Sequence, residues 1–263
     1  MTGGLLLLAA AAVGVLLWAL RPRRPAPPPP LPPAEQALLQ RLPQYAQLSA
    51  GQRERLAEQV AAFVRDKDYY GCNGLQVDRE MAVLLAAQAC LLSLREAGAP
   101  YPQLRSVLVY PGAFVVHDPE PDELGIVSDE PEERIGESWD AQRIVVSWPD
   151  AQQALAGSPV NVVVHECAHQ LDPLGQGRPE GAEPQRWAAV MAPAYEALQR
   201  HGSPVIDEYG CESPAEFFAV LCESYVQEPA ALQQAHPALY AELERHFGLA
   251  LAATEPGSRA NAD

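Results

Sequence analysis

The sequence predicts an α+β fold, mostly helical with a small sheet, preceded by one N-terminal transmembrane helix. Three observations lead to this prediction. The first 20 residues carry no charged side chain. Apolar residues then recur at helical spacing across residues 34–98. Short runs rich in β-branched residues stand at 106–116 and 143–148, and such runs are typical of strands.

The N-terminal segment has the composition of a membrane span. Residues 3–20 are almost continuously apolar, and as a helix they would extend about 27 Å, close to the thickness of a hydrocarbon core. Arg21, Arg23 and Arg24 end the run, and positive charge marks the cytoplasmic side of a span. We therefore expect a single-pass anchor, residues 1–20, in the inner (plasma) membrane with the rest in the cytoplasm. The alternative is a signal peptide and an exported domain.

Composition divides the remainder of the chain. Residues 21–33 contain eight prolines, which predicts an extended Pro-rich linker. Residues 34–250 are left for one domain, and residues 251–263 predict a disordered tail. The five cysteines include no C-x-x-C pair, so the sequence does not indicate a disulfide framework, in keeping with a reducing compartment.

The charge of the chain excludes one class of function. The chain has 18 basic and 34 acidic residues, a formal net charge of −16. Binding to nucleic acid needs a basic face that neutralises phosphates, so we expect no nucleic-acid partner. Residues 118–140 hold ten acidic residues and one arginine, and this segment is expected to be a solvated loop.

The periodic segments give the order of the elements. Residues 34–98 predict helices, of which 78–98 is apolar around much of its circumference and should be buried. Residues 106–116 predict two short strands around Pro111-Gly112, and residues 143–148 predict another strand.

One motif carries the chemistry. The segment NVVVHECAHQLD (161–172) contains H-E-x-x-H, with His165, Glu166 and His169. On a helix, residues four apart leave the same face one turn apart, so the two imidazoles can share a Zn²⁺ ion. Glu166, offset along the same turn, is placed to act as general base on a water activated by the metal. The preceding valines favour a buried, rigid helix.

The third zinc ligand has two candidates in the sequence. Glu216 and Glu223 are seven residues apart, close to the same face of one predicted helix. Ser213 and Pro214 are placed as N-cap and first residue of that helix, so Glu216 also has a structural interpretation as a capping-box carboxylate. Asp172 has two interpretations, as the residue that ends the zinc-binding helix or as a hydrogen-bond acceptor for a ligand imidazole.

Beyond the zinc motif, the sequence resembles the Mlc titration factor A family of zinc-dependent peptidases across most of residues 36–247. That family is similar in turn to the catalytic domain of anthrax lethal factor, in which a tyrosine stands seven residues before the ligand glutamate of an E-F-F-A segment. Tyr209 and Glu216 keep this spacing. The segments that carry the resemblance are MAVLLAAQACLL (81–92), VLVYPGAFVV (107–116), VVSW (145–148), NVVVHECAHQLD (161–172), AEFFAVLCESY (215–225) and HPALYAELERHFG (236–248).

The resemblance implies a zincin-like fold of the gluzincin type and a site with assigned roles. His165, His169 and Glu216 are implied as zinc ligands. Glu166 is implied as general base and Tyr209 as the hydroxyl that steadies the oxyanion, with a packing tyrosine as the alternative. Glu223 is then left to orient a ligand. Position 167 departs from the family, because Cys167 stands where phenylalanine is common.

Two functions follow as expectations. The first is hydrolysis of a peptide or protein substrate by a zinc-dependent peptidase, with an edge strand from 106–116 or 143–148 aligning the extended substrate. The alternative is a regulatory binding module that sequesters a transcription regulator or another protein partner, with zinc mainly structural.

Overall fold

The computed structural model describes residues 29–96, 98–112 and 142–251. Several predictions fall on residues outside these ranges: the transmembrane helix at 1–20, most of the Pro-rich linker, a second strand at 113–116, the acidic loop at 118–140, and all but the first residue of the tail. Among the residues within the ranges, no helix is both long enough and apolar enough to cross a membrane.

The described part of the chain is mostly helical with one small sheet. Its strands are β1 (Asp68–Gly71), β2 (Ser106–Tyr110) and β3 (Arg143–Ser147). Its α-helices are α1 (Pro33–Leu38), α2 (Ala50–Asp66), α3 (Arg79–Ala89), α4 (Trp148–Leu155), α5 (Val162–Leu171), α6 (Pro184–His201), α7 (Pro214–Gln227), α8 (Pro229–Ala235) and α9 (Pro237–Phe247). Short 3-10 helices cover Leu39–Arg41, Pro43–Gln47, Cys90–Ser93 and Glu208–Cys211.

The sheet is parallel, with the strand order β1-β2-β3. Ser106 on β2 is the partner of both Asp68 on β1 and Arg143 on β3. The predicted edge strand 106–116 is wrong for residues 106–110, because β2 lies in the middle of the described sheet and is paired on both sides. Residues 113–116 lie outside the described ranges. Of the two candidate strands, only β3 lies at an edge of the described sheet.

The helical prediction for residues 34–98 is also corrected at one place. Asp68–Gly71 form β1, and nothing in a run as short as DYYG indicates a strand. Its conformation depends on pairing with a strand almost 40 residues away. Gly71 ends β1 where a Cβ atom would lie 2.0 Å from the carbonyl oxygen of Leu75, so only glycine allows the turn that follows.

The core lies between the sheet and the central helices. Every residue from Met81 to Ala89 of α3 is buried, which confirms the predicted central helix, although the α-helix stops at Ala89 and continues as a 3-10 turn. Helix α5 packs against β3, α3 and α7. Residues Phe217–Val226 of α7 are all buried. The two helices that carry the predicted metal ligands are therefore held inside the domain.

Both ends of the described chain take part in this core. Leu31, within the predicted linker, is 4% exposed, and Leu251, at the start of the predicted tail, is 1% exposed. The Leu251 N–H also donates a hydrogen bond to the Tyr240 hydroxyl.

Candidate metal centre

Helix α5 begins where the sequence provides a cap. Asn161 precedes it, and its side-chain oxygen accepts a hydrogen bond from the Val164 N–H at 3.1 Å, which satisfies a backbone donor that the first turn leaves unpaired. Val163, Val164, Cys167 and Ala168 are buried. The opposite face of the same helix therefore presents His165, Glu166 and His169, which are half-buried.

Helix α7 begins with the predicted signature. Ser213 is the N-cap, and its hydroxyl accepts a hydrogen bond from the Glu216 N–H at 3.1 Å. Pro214 occupies the first turn, where its missing N–H costs no hydrogen bond. The side chain of Glu216 does not return to the cap, because its carboxylate points to the two histidines of α5. The structural interpretation of Glu216 as a capping-box carboxylate therefore does not apply.

Three side chains converge from these two helices. The Nε2 atoms of His165 and His169 are 3.3 Å apart. The Glu216 carboxylate lies 3.0 Å from His165 Nε2 through Oε2 and 3.4 Å from His169 Nε2 through Oε1. Among the described residues, these three form the group of histidine, cysteine and acidic side chains able to hold a metal ion.

The spacing of these atoms fits a tetrahedral metal. Ligands at about 2.0–2.1 Å from a tetrahedral Zn²⁺ ion are about 3.3 Å from one another. The two Nε2 atoms are 3.3 Å apart, and the nearest Glu216 oxygens, Oε2 for His165 and Oε1 for His169, lie at 3.0 and 3.4 Å, which is close to that value. Two imidazole nitrogens and one carboxylate oxygen are also donors that zinc accepts, and they leave a fourth position open. The donor types and the spacing of this cluster therefore fit a bound metal ion, and zinc is one that accepts this set of donors.

Glu223 lies on the other side of His165. Its Oε1 is 2.8 Å from His165 Nδ1, the ring nitrogen that faces away from Glu216. Its Oε2 accepts the Asn161 N–H at 2.5 Å. A carboxylate in this position fixes the tautomer in which Nδ1 carries the proton and Nε2 is free to bind a metal. The structure thus separates the two candidate carboxylates, with Glu216 at the ligand cluster and Glu223 behind the ring.

The charges of the site reinforce one another. Burial acts to lower the pKa of His165, but its hydrogen bonds with Glu216 and Glu223 outweigh burial and raise that pKa. Burial likewise acts to raise the pKa of Glu216, and its hydrogen bonds with His165 and His169 lower it instead. The carboxylates of Glu216 and Glu223 thus favour a positive charge at His165, and a metal bound there competes with a proton for the ring.

Glu166 and Tyr209 stand close to the cluster. Burial raises the pKa of Glu166, opposed by the two histidines and helped by Glu216 and Glu223. The ring of Tyr209, in the 3-10 turn Glu208–Cys211, has its centroid 5.9 Å from that of His165. Tyr209 is 47% exposed, so part of the side chain is open to solvent beside His165.

Asp172 and Cys167 lie next to the ligands in sequence and have other contacts. Asp172 is buried, and its Oδ2 accepts a hydrogen bond from the Gly177 N–H at 2.5 Å. Within the described ranges, no hydrogen bond joins the Asp172 carboxylate to either imidazole. Cys167 is fully buried on the core face of α5, where burial raises the pKa of its thiol. A buried, protonated thiol facing away from the cluster is no metal ligand.

Sequence reasoning missed a polar network behind the site. Gln227, one turn after Glu223 on α7, accepts a hydrogen bond from Asn161 Nδ2 at 3.3 Å and one from Gln44 Nε2 at 3.0 Å. It also donates to the carbonyls of Ala154 and Ser158. Asn161 could have been found, because an asparagine directly before an apolar run is a cap signal. Nothing in the sequence indicates that Gln44 and Gln227 meet.

Known proteins resemble the chain along most of its length. Residues 18–248 match the family described as Glucose-regulated metallo-peptidase M90. The chain belongs to this family of metallo-peptidases. It is 38% identical over 234 residues to Uncharacterized protein slr2042 of Synechocystis, across 82% of this chain and 84% of that protein.

This M90 chain is also similar to proteins named Mlc titration factor A. It is 30% identical over 220 residues to Mlc titration factor A of Klebsiella pneumoniae, across 79% of this chain and 82% of that protein. It is also 30% identical over 219 residues to Mlc titration factor A of Yersinia pestis, across 78% and 81%. The predicted resemblance to the Mlc titration factor A family is confirmed, and membership of M90 implies a metal.

Proposed function

We propose that this M90 chain is a zinc-dependent peptidase of the gluzincin type. The observation that carries the proposal is the convergence of His165, His169 and Glu216, whose donor atoms all lie within 4.8 Å of one another and are of the types that zinc binds. Zinc in this position would polarise the scissile carbonyl and lower the pKa of the attacking water. The family match supports a metallo-peptidase and leaves the identity of the metal to experiment.

The remaining steps belong to the protein side chains. Glu166 lies between the two histidines in the sequence and is half-buried beside them. We assign it the proton transfers, in which its carboxylate takes a proton from the attacking water and delivers it to the leaving amine. Burial raises the pKa of Glu166 above that of an exposed carboxyl, which is the direction that a general base acting near neutral pH needs. The Tyr209 hydroxyl would donate a hydrogen bond to the oxyanion that forms on the substrate.

Strand β3 is the proposed docking strand for an extended peptide. It lies at an edge of the described sheet and packs against α5, which carries two of the ligands. An edge strand offers N–H and C=O groups that a peptide can add to. A peptide paired with β3 would therefore run alongside the helix that bears His165 and Glu166.

The substitution Glu166→Gln tests the peptidase proposal. It keeps the shape of the side chain and removes the base, so we expect hydrolysis of fluorogenic peptides to fall by about 10²- to 10⁴-fold while bound zinc is unchanged. Elemental analysis gives the zinc content. Glu196→Gln, an exposed change on α6, is the matched control. Equal rates of hydrolysis by wild type and Glu166→Gln would contradict the peptidase proposal.

A second candidate function is the binding of a regulatory protein. It is favoured by the name of the Klebsiella and Yersinia relatives, which describes them as titrating Mlc. Calorimetric titration of the full chain with Klebsiella Mlc would test it. Tight binding that is the same for wild type and Glu166→Gln would favour an adaptor, whereas no heat of binding would count against this candidate.

For localisation, we propose that residues 1–20 anchor the chain in the inner membrane with the peptidase domain in the cytoplasm. The support is the uncharged apolar run followed by Arg21, Arg23 and Arg24. A reporter fused after Pro33 that is active only outside the cytoplasm would overturn this topology in favour of export.

A further inference from the structure

We propose that the loop from Asp172 to Gly177 positions the third metal ligand. This loop, here called the 172–177 loop, would hold the first turn of α7, and with it Glu216, at the distance from α5 at which the three donor atoms converge. The inference rests on the proposed zinc site and extends it to residues that do not touch the metal. Asp172 and Gly177 are therefore positioning residues.

The 172–177 loop is tied to the end of the helix that carries both histidines. The Asp172 N–H donates to the His169 carbonyl at 3.1 Å, and the Glu180 N–H donates to the Leu171 carbonyl at 2.9 Å. The chain thus leaves α5 at Asp172 and is bound to the same helix end again at Glu180. Within the loop, the Asp172 carboxylate accepts the Gly177 N–H at 2.5 Å, so Asp172 fixes where Gly177 lies.

Gly177 in turn touches the start of α7. It has a φ of +67°, and a Cβ atom on it would lie 2.1 Å from the carbonyl oxygen of Pro214 and 2.7 Å from its carbonyl carbon. Those are backbone atoms, so no side-chain rotation relieves the contact. Pro214 opens α7 two residues before Glu216. The backbone of Gly177 therefore limits how closely the ligand-bearing turn of α7 approaches the end of α5.

Helix α6 holds the same point from a third direction. Trp187 Nε1 donates to the Gly177 carbonyl at 2.8 Å. Trp187 is 2% exposed, and its ring packs edge-on against Phe218 of α7, with 5.7 Å between centroids. Both polar groups of the Gly177 backbone are thus bonded, one to Asp172 and one to Trp187. Because the Gly177 backbone is held by both hydrogen bonds, it has little freedom to move with α7 if that helix is displaced.

The metal site has little tolerance for such displacement. Plausible metal–ligand distances vary by about 0.2 Å, whereas a methyl group 2.1 Å from the Pro214 oxygen must move that atom by roughly 1 Å to reach ordinary contact. Glu216 belongs to the same helical turn and would move with it. The loop therefore acts on zinc affinity through the position of Glu216.

Gly177→Ala and Gly175→Ala form a matched pair for the test. Gly175 is in the same loop with a φ of +59°, and a Cβ atom there would meet nothing within 4 Å. Both substitutions bring the strain of an alanine in the left-handed region, and only Gly177→Ala adds the contact with Pro214. We expect zinc affinity of the full chain, measured by competition with a chromophoric chelator, to fall at least about tenfold in Gly177→Ala and to stay unchanged in Gly175→Ala.

A second pair keeps the proposal testable if Gly177→Ala does not fold. Asp172 Oδ1 has no hydrogen-bond partner among the described residues, so the contact with Gly177 uses one carboxylate oxygen, Oδ2. Asp172→Asn retains an oxygen for the Gly177 N–H, and Asp172→Ala removes it. We expect wild-type zinc affinity and an unchanged Co²⁺ absorption spectrum in Asp172→Asn, with weaker zinc binding and an altered spectrum in Asp172→Ala.

The outcomes separate the inference from the proposed function. If the wild type binds zinc and both Gly177→Ala and Asp172→Ala bind it with the same affinity, the positioning role is overturned. The peptidase proposal would still stand. Equal loss in Asp172→Asn and Asp172→Ala would also overturn it, because the charge of Asp172 would then matter. A wild-type chain that binds no zinc would refute the proposed site itself.

Discussion

His165 is the most constrained single residue of the site. One of its ring nitrogens faces Glu216 at 3.0 Å, the other faces Glu223 at 2.8 Å, and the tilted ring of Tyr209 lies nearby. The hydrogen bond from Nδ1 to Glu223 is charge-assisted, and the ring cannot rotate without losing it. The ligand nitrogen is therefore oriented by the protein before any metal arrives, which lowers the cost of binding one.

Glu223→Gln tests this orientation. A glutamine has one acceptor oxygen, and its amide nitrogen is a donor, so it cannot serve both His165 Nδ1 and the Asn161 N–H as Glu223 does. We expect zinc affinity to fall about 10- to 100-fold, measured by competition with a chelator. Glu196→Gln, the same chemical change at an exposed position of α6, is the control. Unchanged affinity in Glu223→Gln would contradict the role.

The choice between Glu216 and Glu223 shows where sequence reasoning about single residues stops. Seven residues amount to nearly two helical turns, so both side chains leave α7 on about the same face. Periodicity therefore brings both carboxylates to His165 and gives no order between them. The resemblance to a family implied Glu216, and the two distances to the two ring nitrogens supply the physical reason. The roles of both residues stay predictions until a metal is measured.

The N-cap of α7 contributes both to the stability of the helix and to the position of Glu216. Ser213→Ala removes the cap of α7, and caps of this kind contribute about 1 kcal/mol to the free energy of unfolding. Because the Ser213 hydroxyl accepts the N–H of Glu216 itself, we expect zinc affinity to fall as well. Denaturant unfolding and chelator competition measure the two effects.

Ser49→Ala is the matched control for that prediction. Ser49 caps α2 with a complete capping box, and α2 carries none of the three predicted ligands. We expect a similar loss of stability and no loss of zinc affinity. Equal effects of the two substitutions on zinc binding would mean that the α7 cap has no special connection to the site.

Elements differ in how far the sequence determines them. The zinc-binding helix and the buried helix α3 follow from periodicity and caps, which are local signals. Strand β1 does not, since Tyr69 and Tyr70 become a strand only through pairing with Val107 and Leu108 of β2. The order of the three strands, and hence the edge at β3, depends on contacts between distant segments that no local pattern contains.

Metal binding should stabilise the whole domain, because the ligands come from two helices, α5 and α7, that pack together. A ligand that binds only the folded state at 100 times its dissociation constant adds about 2.7 kcal/mol to the free energy of unfolding. For a domain of this size that corresponds to roughly 5–10 °C in Tm. Calorimetry with and without a zinc chelator measures the shift.

His169→Ala and Glu166→Gln separate binding from chemistry in that experiment. His169→Ala removes a predicted ligand, so the chelator should leave its Tm almost unchanged. Glu166→Gln keeps all three ligands and should show the full shift seen for wild type. A chelator effect that survives in His169→Ala would place the stabilising metal elsewhere on the chain.

The attachment of Glu216 and Glu223 to one helix has a consequence for how this protein can change over evolutionary time. The two carboxylates reach opposite nitrogens of one ring from positions about 10.5 Å apart along the α7 axis. Inserting or deleting one residue between them would turn one carboxylate by about 100° and shift it by about 1.5 Å. Descendants of this gene should therefore accept substitutions between positions 216 and 223 while keeping the number of residues fixed, whereas length variation should be found in the surface connections.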